Sequence, residues 1–437
     1  MRHSGITAQP RRSRRWRALP AVVGAGALLA VVAPSAFATA PSDTVLPSKN
    51  GSCAPTPNIL RTKPKIIPLQ YGMTMRIWDT GPTNPATRSI RVVVVTIPQN
   101  SPVGFQAIST PDLSTTQTTS AQVAHHKSTL VAINAAVFNL GTASTPEGPQ
   151  VVGSQVWKAT SGQQDSINVG LDGKAIPGEV SLTSKWTTPR SGPSVGSLNW
   201  QTLTSGINVY TNVWGHRPHP SGGREVWVTG TVTPDIGNRV TTMTGHVSRI
   251  ITSGLGHRPP ANTWVFTTSS WNSGMLRAFS VGAPVTLTLG YRAYDRLGNV
   301  LWHTAGALGR GGVYIWKGAN RASCFGRDEN LRPRTFIGWR TTSHRSDAQQ
   351  TDAFIMTVQG RSNANGVRWG GATVHQATDF MLQLGAGRAV GFDSGGSTTM
   401  LAQLKPGAPL THIDRANPKD GQRAIINVLA VAPYPFD

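Results

Sequence analysis

From about residue 66 onward, short runs of β-branched and aromatic residues recur, each cut off by glycine, proline, asparagine or aspartate. With 47 glycines and 31 prolines in 437 residues, the punctuation is too dense for a helical bundle and suits many short strands joined by turns. Such runs extend from Arg91 to Ile97, Leu130 to Ile133, Glu225 to Val232, Thr263 to Thr268, Val285 to Tyr294, Val313 to Trp316, Ala353 to Val358 and Ala424 to Val431. One helix stands out. Thr373 is a good N-cap, Val374, Ala377, Met381 and Leu384 recur at helical spacing, and Gly385 suits the C-terminal cap. The expectation is an α+β chain: a strand-rich catalytic domain with few helices, interrupted by an inserted β segment.

The N-terminus reads as an export signal. Six arginines and no acid precede an apolar run from Ala18 to Ala33 and the small-residue stretch Ala36-Phe37-Ala38. That run is short for a membrane span, and Ser13-Arg14-Arg15-Trp16 resembles a twin-arginine signal. The expected organisation is a secretion signal (1–38), a linker (39–65), a first catalytic part (66–196), an inserted β segment (197–303) and a second catalytic part (304–437). The expected location is secreted or wall-associated, with no stable membrane span in the mature chain. Cleavage would lower the formal charge of +22 by six and leave a strongly basic protein. Such a field attracts anionic partners. No nucleic-acid motif accompanies the charge, so anionic glycans are the expected partner class. Cys53 and Cys324 are the two cysteines. They are too few for a zinc cluster, able to pair in an oxidising compartment, and no cofactor is indicated.

Chemistry concentrates at Gly391 to Met400, where an apolar strand runs into Asp393 and a glycine-rich turn. Asp393-Ser394-Gly395-Gly396 copies the nucleophile segment of trypsin-like proteases, which also requires a histidine base and its orienting aspartate. Only His125 and His126 lie in an upstream segment resembling the histidine motif, without the small residues expected around it. The alternative is an anion site. Amides of Gly395, Gly396, Ser397 and Thr398 could cradle phosphate oxygens, and Arg334 and Arg361 could grip them. Asp393 would face an anomeric carbon, Glu147 is the second carboxylate, and Asn134 could bond a sugar hydroxyl. Arg423 and Asn427 would buttress Asp393 from the last strand.

The chain resembles the phosphodiester glycosidase family. The residues that carry this are Ala132 to Phe138, similar to a strand ending in Asn-Gly-Gly-Phe-Phe; Arg334 to Gly338; Gly360-Arg361 with Gly371 to Thr373; Gly391 to Met400; and Arg423 to Asn427. Ser394 replaces a glycine of that pattern, Ala135-Ala136 replace a glycine pair, and Gln359 replaces an aspartate. The added Cβ atoms at Ala135 and Ala136 would narrow any pocket walled by bare backbone. The resemblance implies hydrolysis of a sugar-1-phosphodiester in surface polysaccharide, wall polymer or glycolipid. A wall-binding or polyanion-binding protein that keeps the fold without the chemistry is the rival.

Overall fold

The structure is a computed structural model. The structure describes residues 53–79, 90–140, 144–254, 256–324, 330–341, 350–359, 370–414 and 422–436, all within the unit Asp43–Asp437. The secretion signal and Arg361 lie outside these residues. Among the described residues no helix is long and apolar enough to cross a membrane.

The protein is mostly β with few helices, built from two antiparallel sheets and a closed barrel. The first sheet has eight strands, in the order Lys65–Pro68, Thr74–Asp79, Arg91–Ile97, Gln350–Gln359, Arg334–Thr341, Arg388–Gly391, Val313–Trp316 and Ala319–Asn320. The second has five: Thr411–His412, Met400–Ala402, Val131–Asn134, Asn427–Pro433 and Val103–Ser109. Strand Arg91–Ile97 explains why the first sheet is central. Its run Val92 to Val95 is buried throughout, as expected of a strand covered on both faces. Val93 and Val95 pack toward Val131, Ile133, Leu429 and Val431 of the second sheet. Val92 and Val94 pack toward helix α2, through Val374, Ala377, Phe380 and Met381.

Helix α2 (Val374–Gln383; α1 is Thr119–Val123) starts as the sequence indicates. The Thr373 hydroxyl accepts from the Gln376 N–H and the Gln376 side chain reaches back, a capping box. Gly385, at φ 89°, closes the other end.

Eleven strands, from Gln150–Val152 to Thr304–Gly309, close the barrel between the two sheets' contributions to the chain. It begins well before residue 197, because strands Gln155–Thr160, Gln164–Gly170 and Ala175–Thr188 pair within it. Its interior is filled by alternating side chains such as Val226 and Val228, Leu287 and Leu289.

The described part of the 39–65 stretch is docked, not loose. Cys53 is bonded to Cys324, the Gln376 side chain donates to the Pro55 carbonyl at 2.8 Å, and the Thr56 hydroxyl donates to Asp379 at 2.5 Å. Because the disulfide spans 271 residues of sequence, it restricts the unfolded chain strongly. Cys53→Ser is expected to cost about 2–4 kcal/mol, read as a shifted urea midpoint without reductant.

Candidate active site

Asp393 sits where the chain crosses between sheets. Strand Arg388–Gly391 belongs to the first, strand Met400–Ala402 to the second, and the turn joins them. Asn134 clasps both ends of that turn. Its Nδ2 donates to the Asp393 carbonyl (2.8 Å), and its Oδ1 accepts from the Thr399 N–H (3.1 Å) and the Thr335 hydroxyl (2.7 Å). With 1% of its surface exposed, Asn134 positions the turn and is not shaped to meet a sugar. Asp393 N–H donates to Ala135 carbonyl at 2.9 Å, and Asn427 Oδ1 accepts from Ala136 N–H at 2.8 Å. The alanines are buried, Ala135 within the core between the sheets, so its Cβ fills packing space and does not narrow a cleft.

The Asp393 carboxylate is half-buried. Loss of solvation pushes its pKa up from the ordinary aspartate value; the Ser397 hydroxyl, the Ser394 N–H and the Arg423 charge pull the other way, and Glu147 adds to the rise. The Ser394 N–H bonds Oδ1 at 2.8 Å. The Ser397 hydroxyl faces the carboxylate without a hydrogen bond of regular geometry. The neighbouring Thr398 hydroxyl is buried and has no partner among the described residues.

The cradle of four amides forms only in part. Gly395 N–H donates to Pro333 carbonyl (3.0 Å) and Thr398 N–H to Gly395 carbonyl (3.2 Å), closing a single helical turn over Gly395–Ser397. Gly395 has φ 70°, the left-handed region that favours glycine.

The arginines exchange roles. Arg334 is 6% exposed, with Nε on the Ala372 carbonyl (3.0 Å) and Nη2 on the Asn330 carbonyl (2.8 Å). It braces loops instead of offering a fork to phosphate. Arg423 takes the place beside the carboxylate. Its guanidinium lies so close over Gly396 that a Cβ there would come within 2.4 Å of Nη2, and its charge acts on Asp393. It is half-buried and has no hydrogen bond to a described residue.

Glu147 is exposed, and its charge reaches both Asp393 and Lys158. Its backbone is held on both sides. Glu147 N–H donates to Val137 carbonyl at 2.8 Å. Lys158 Nζ donates to the Pro146 carbonyl and to Gln201 Oε1, and Gln201 Nε2 donates to the Glu147 carbonyl at 3.3 Å. Next in sequence, Gly148 abuts Gly309, where a Cβ would meet backbone at 2.5 Å. Lys158 is fully buried, its amine 4.7 Å from the Trp200 ring centroid. Burial holds its pKa well below the usual lysine range, against the pull of Glu147.

Sequence reasoning missed Lys158 and Gln201. The available signal was a lysine two residues from Val156, on the inward face of a barrel strand. Lys158→Met is expected to lower kcat on the order of tenfold to a hundredfold, through a displaced Glu147, with KM little changed. Steady-state kinetics alongside a thermal melt checks this, since a merely structural lysine would move the melt and not the kcat.

No imidazole among the described residues is hydrogen-bonded to Ser394, so the protease triad is not assembled there. Cys53, Cys324 and His375 form the one grouping of three possible metal ligands among the described residues. The two sulfurs bond each other, which removes them as thiolate ligands.

Residues 243–432 match the phosphodiester glycosidase family. That span includes Asp393, Arg423, Arg334 and Asn427, and the resemblance carried by those segments is borne out. Asn134 and Glu147 precede it. No curated protein is matched by this chain. Among solved structures, a hypothetical protein from Synechocystis has TM-score 0.62 at 18% identity, with 85% of this chain and 64% of that one covered. This chain thus spans less than two thirds of that protein. A Burkholderia pseudomallei K96243 protein described as exported has TM-score 0.54 at 16% identity, covering 79% of this chain and 74% of that one. These likenesses speak to fold alone. The zebrafish N-acetylglucosamine-1-phosphodiester alpha-N-acetylglucosaminidase catalytic domain, auto-inhibited by its pro-peptide, has TM-score 0.35 at 12% identity, covering 85% and 87%, too loose to carry an argument.

Proposed function

We propose that this protein is a hydrolase of the phosphodiester glycosidase type, cleaving the anomeric C–O bond of a sugar-1-phosphodiester. The observation that carries the reading is the pairing of a desolvated carboxylate, Asp393, with a guanidinium, Arg423, that has no hydrogen bond to a described residue and is stacked on the glycine turn beside it. A sugar-1-phosphodiester asks for that combination. Its phosphate needs a cation with donors to offer, and its anomeric carbon gains positive character as the bond breaks, which a nearby carboxylate stabilises.

The C1–O bond breaks with its electron pair going to the phosphate, which leaves as a monoester. Water supplies the new oxygen on C1 and its proton passes to a carboxylate. The departing phosphate is a good leaving group, so the demand falls on an ionised Asp393 more than on an acid. Glu147, whose charge reaches Asp393, is the second carboxylate of the site.

The substrates in this reading are surface polysaccharides, wall polymers or glycolipids, whose negative charge complements the positive excess that the mature chain keeps after the formal +22 is lowered by six. Export by the arginine-rich N-terminal segment, by the twin-arginine route, brings the protein to them. Hydrolysis of an N-acetylglucosamine-1-phosphodiester in ¹⁸O-labelled water tests the chemistry. Label in the sugar is the expected result; label in the phosphate means P–O cleavage and a different enzyme. A chain that binds the diester and releases neither product is a binding protein on this fold.

A further inference from the structure

The barrel has an opening that the proposed chemistry does not use. A cavity of about 310 Å³ lies at one end of it, and none of Asp393, Glu147, Lys158 or Arg423 lines it. Its size falls at the lower end of the roughly 300–1,000 Å³ typical of small-molecule sites. The inner part is apolar. Trp264 and aliphatic side chains from four barrel strands line it, and they belong to the barrel's own core. The lining also includes Gln155, Asn199, Asn212, Thr241 and Asn262.

Two properties define the ligand. First, no acidic, basic or histidine side chain lines the cavity, although the chain carries 41 lysines and arginines. An ion would find no counter-charge there, and burying one unpaired is costly. Second, the wall has two chemistries. Asn199 is locked in place by its amide bonds to the Trp157 carbonyl (2.8 Å) and the Thr211 hydroxyl (3.0 Å). The amides of Gln155, Asn212 and Asn262 have no hydrogen-bond partner among the described residues, and Asn212 and Asn262 are exposed. At Asn262 the backbone is in the left-handed region, φ 57°, a conformation asparagine tolerates better than most residues. Water satisfies the exposed amides when the cavity is empty, and an acyl chain would make no use of them. A pyranose ring has an apolar C–H face for the indole and aliphatic wall and hydroxyls for the amides.

We propose that this cavity is a binding subsite for an uncharged saccharide, separate from the Asp393 site and independent of the hydrolase reading. It would hold a neutral sugar stretch of a glycan.

Saturation-transfer NMR titrations of the full chain with chitotriose and maltotriose, both uncharged, test this. The expected result is saturable binding of at least one trisaccharide with Kd on the order of millimolar. It should weaken tenfold or more in Asn262→Ala, which removes an exposed amide, and in Thr241→Trp, which fills the mouth. Hydrolysis of a small sugar-1-phosphodiester should be unchanged in both variants, so loss of this subsite is distinguishable from failure of the catalytic reading. Absence of saturable binding by either sugar would overturn the proposal. So would binding that persists undiminished in both variants, or a cavity that takes a fatty acid from which neither sugar competes.

Discussion

Asp393→Asn is expected to lower kcat/KM for a sugar-1-phosphodiester by a factor on the order of 10²–10⁴ while raising thermal stability at neutral pH. The two effects share one cause. Desolvation, the largest influence on this carboxyl, raises its folded-state pKa above the unfolded value, so folding favours the protonated form. That contribution to stability is fully present below the ordinary aspartate pKa and is lost as pH rises through the raised folded value. Wild type and Asp393→Asn should therefore have similar melting temperatures in acid and diverge toward neutrality, with the asparagine variant the more stable. The same ionisation sets the acid limb of the rate profile. Activity that needs the carboxylate should rise with pH at a value above the ordinary aspartate pKa. Scanning calorimetry and initial rates across about pH 3 to 8 read both. Full activity in Asp393→Asn would remove this residue from the chemistry.

Arg423→Met carries the second large effect. If its guanidinium receives the phosphate, removal should cost on the order of 10²–10³ in kcat/KM, the scale seen when one preorganised charge-stabilising donor is lost. Arg423→Lys should recover little, because an ammonium cannot offer two parallel donors. Gly396→Ala makes an independent variant. The new Cβ would lie within 2.4 Å of Nη2, forcing the guanidinium away while leaving its charge in the protein. Both variants should lose activity against the phosphodiester. An inactive Gly396→Ala beside a fully active Arg423→Met would mean that the turn's shape matters and the cation does not.

Much of the architecture was legible because its causes are local. The run from Arg91 to Ile97 and the strand Arg91–Ile97 coincide, and Thr373 and Gly385 bracket α2 as their side-chain chemistry dictates. The last strand is offset: Ala424 to Val431 is strand-like in pattern, but the strand is Asn427–Pro433, because Ile425 forms only an isolated bridge to Gln117 before the sheet begins. The barrel's extent was less legible. Alternation looks the same in a strand of a sandwich and in a strand of a barrel, and only pairing distinguishes them.

The sequence by itself determined that this is a strand-rich protein, that it carries one helix capped by Thr373 and Gly385, and that a carboxylate and a glycine turn stand at a strand end. Those follow from periodicity, capping and turn chemistry within a few residues. The tertiary structure decided which cation serves the turn. Arg334 and Arg423 are alike as sequence, yet one braces the carbonyl of Ala372, 38 residues away, and the other lies over Gly396. It also decided that a lone lysine in a barrel strand would anchor the loop of Glu147. A long cation's partner depends on which distant segment arrives within a few ångströms of its tip, and that is fixed by strand pairing and packing.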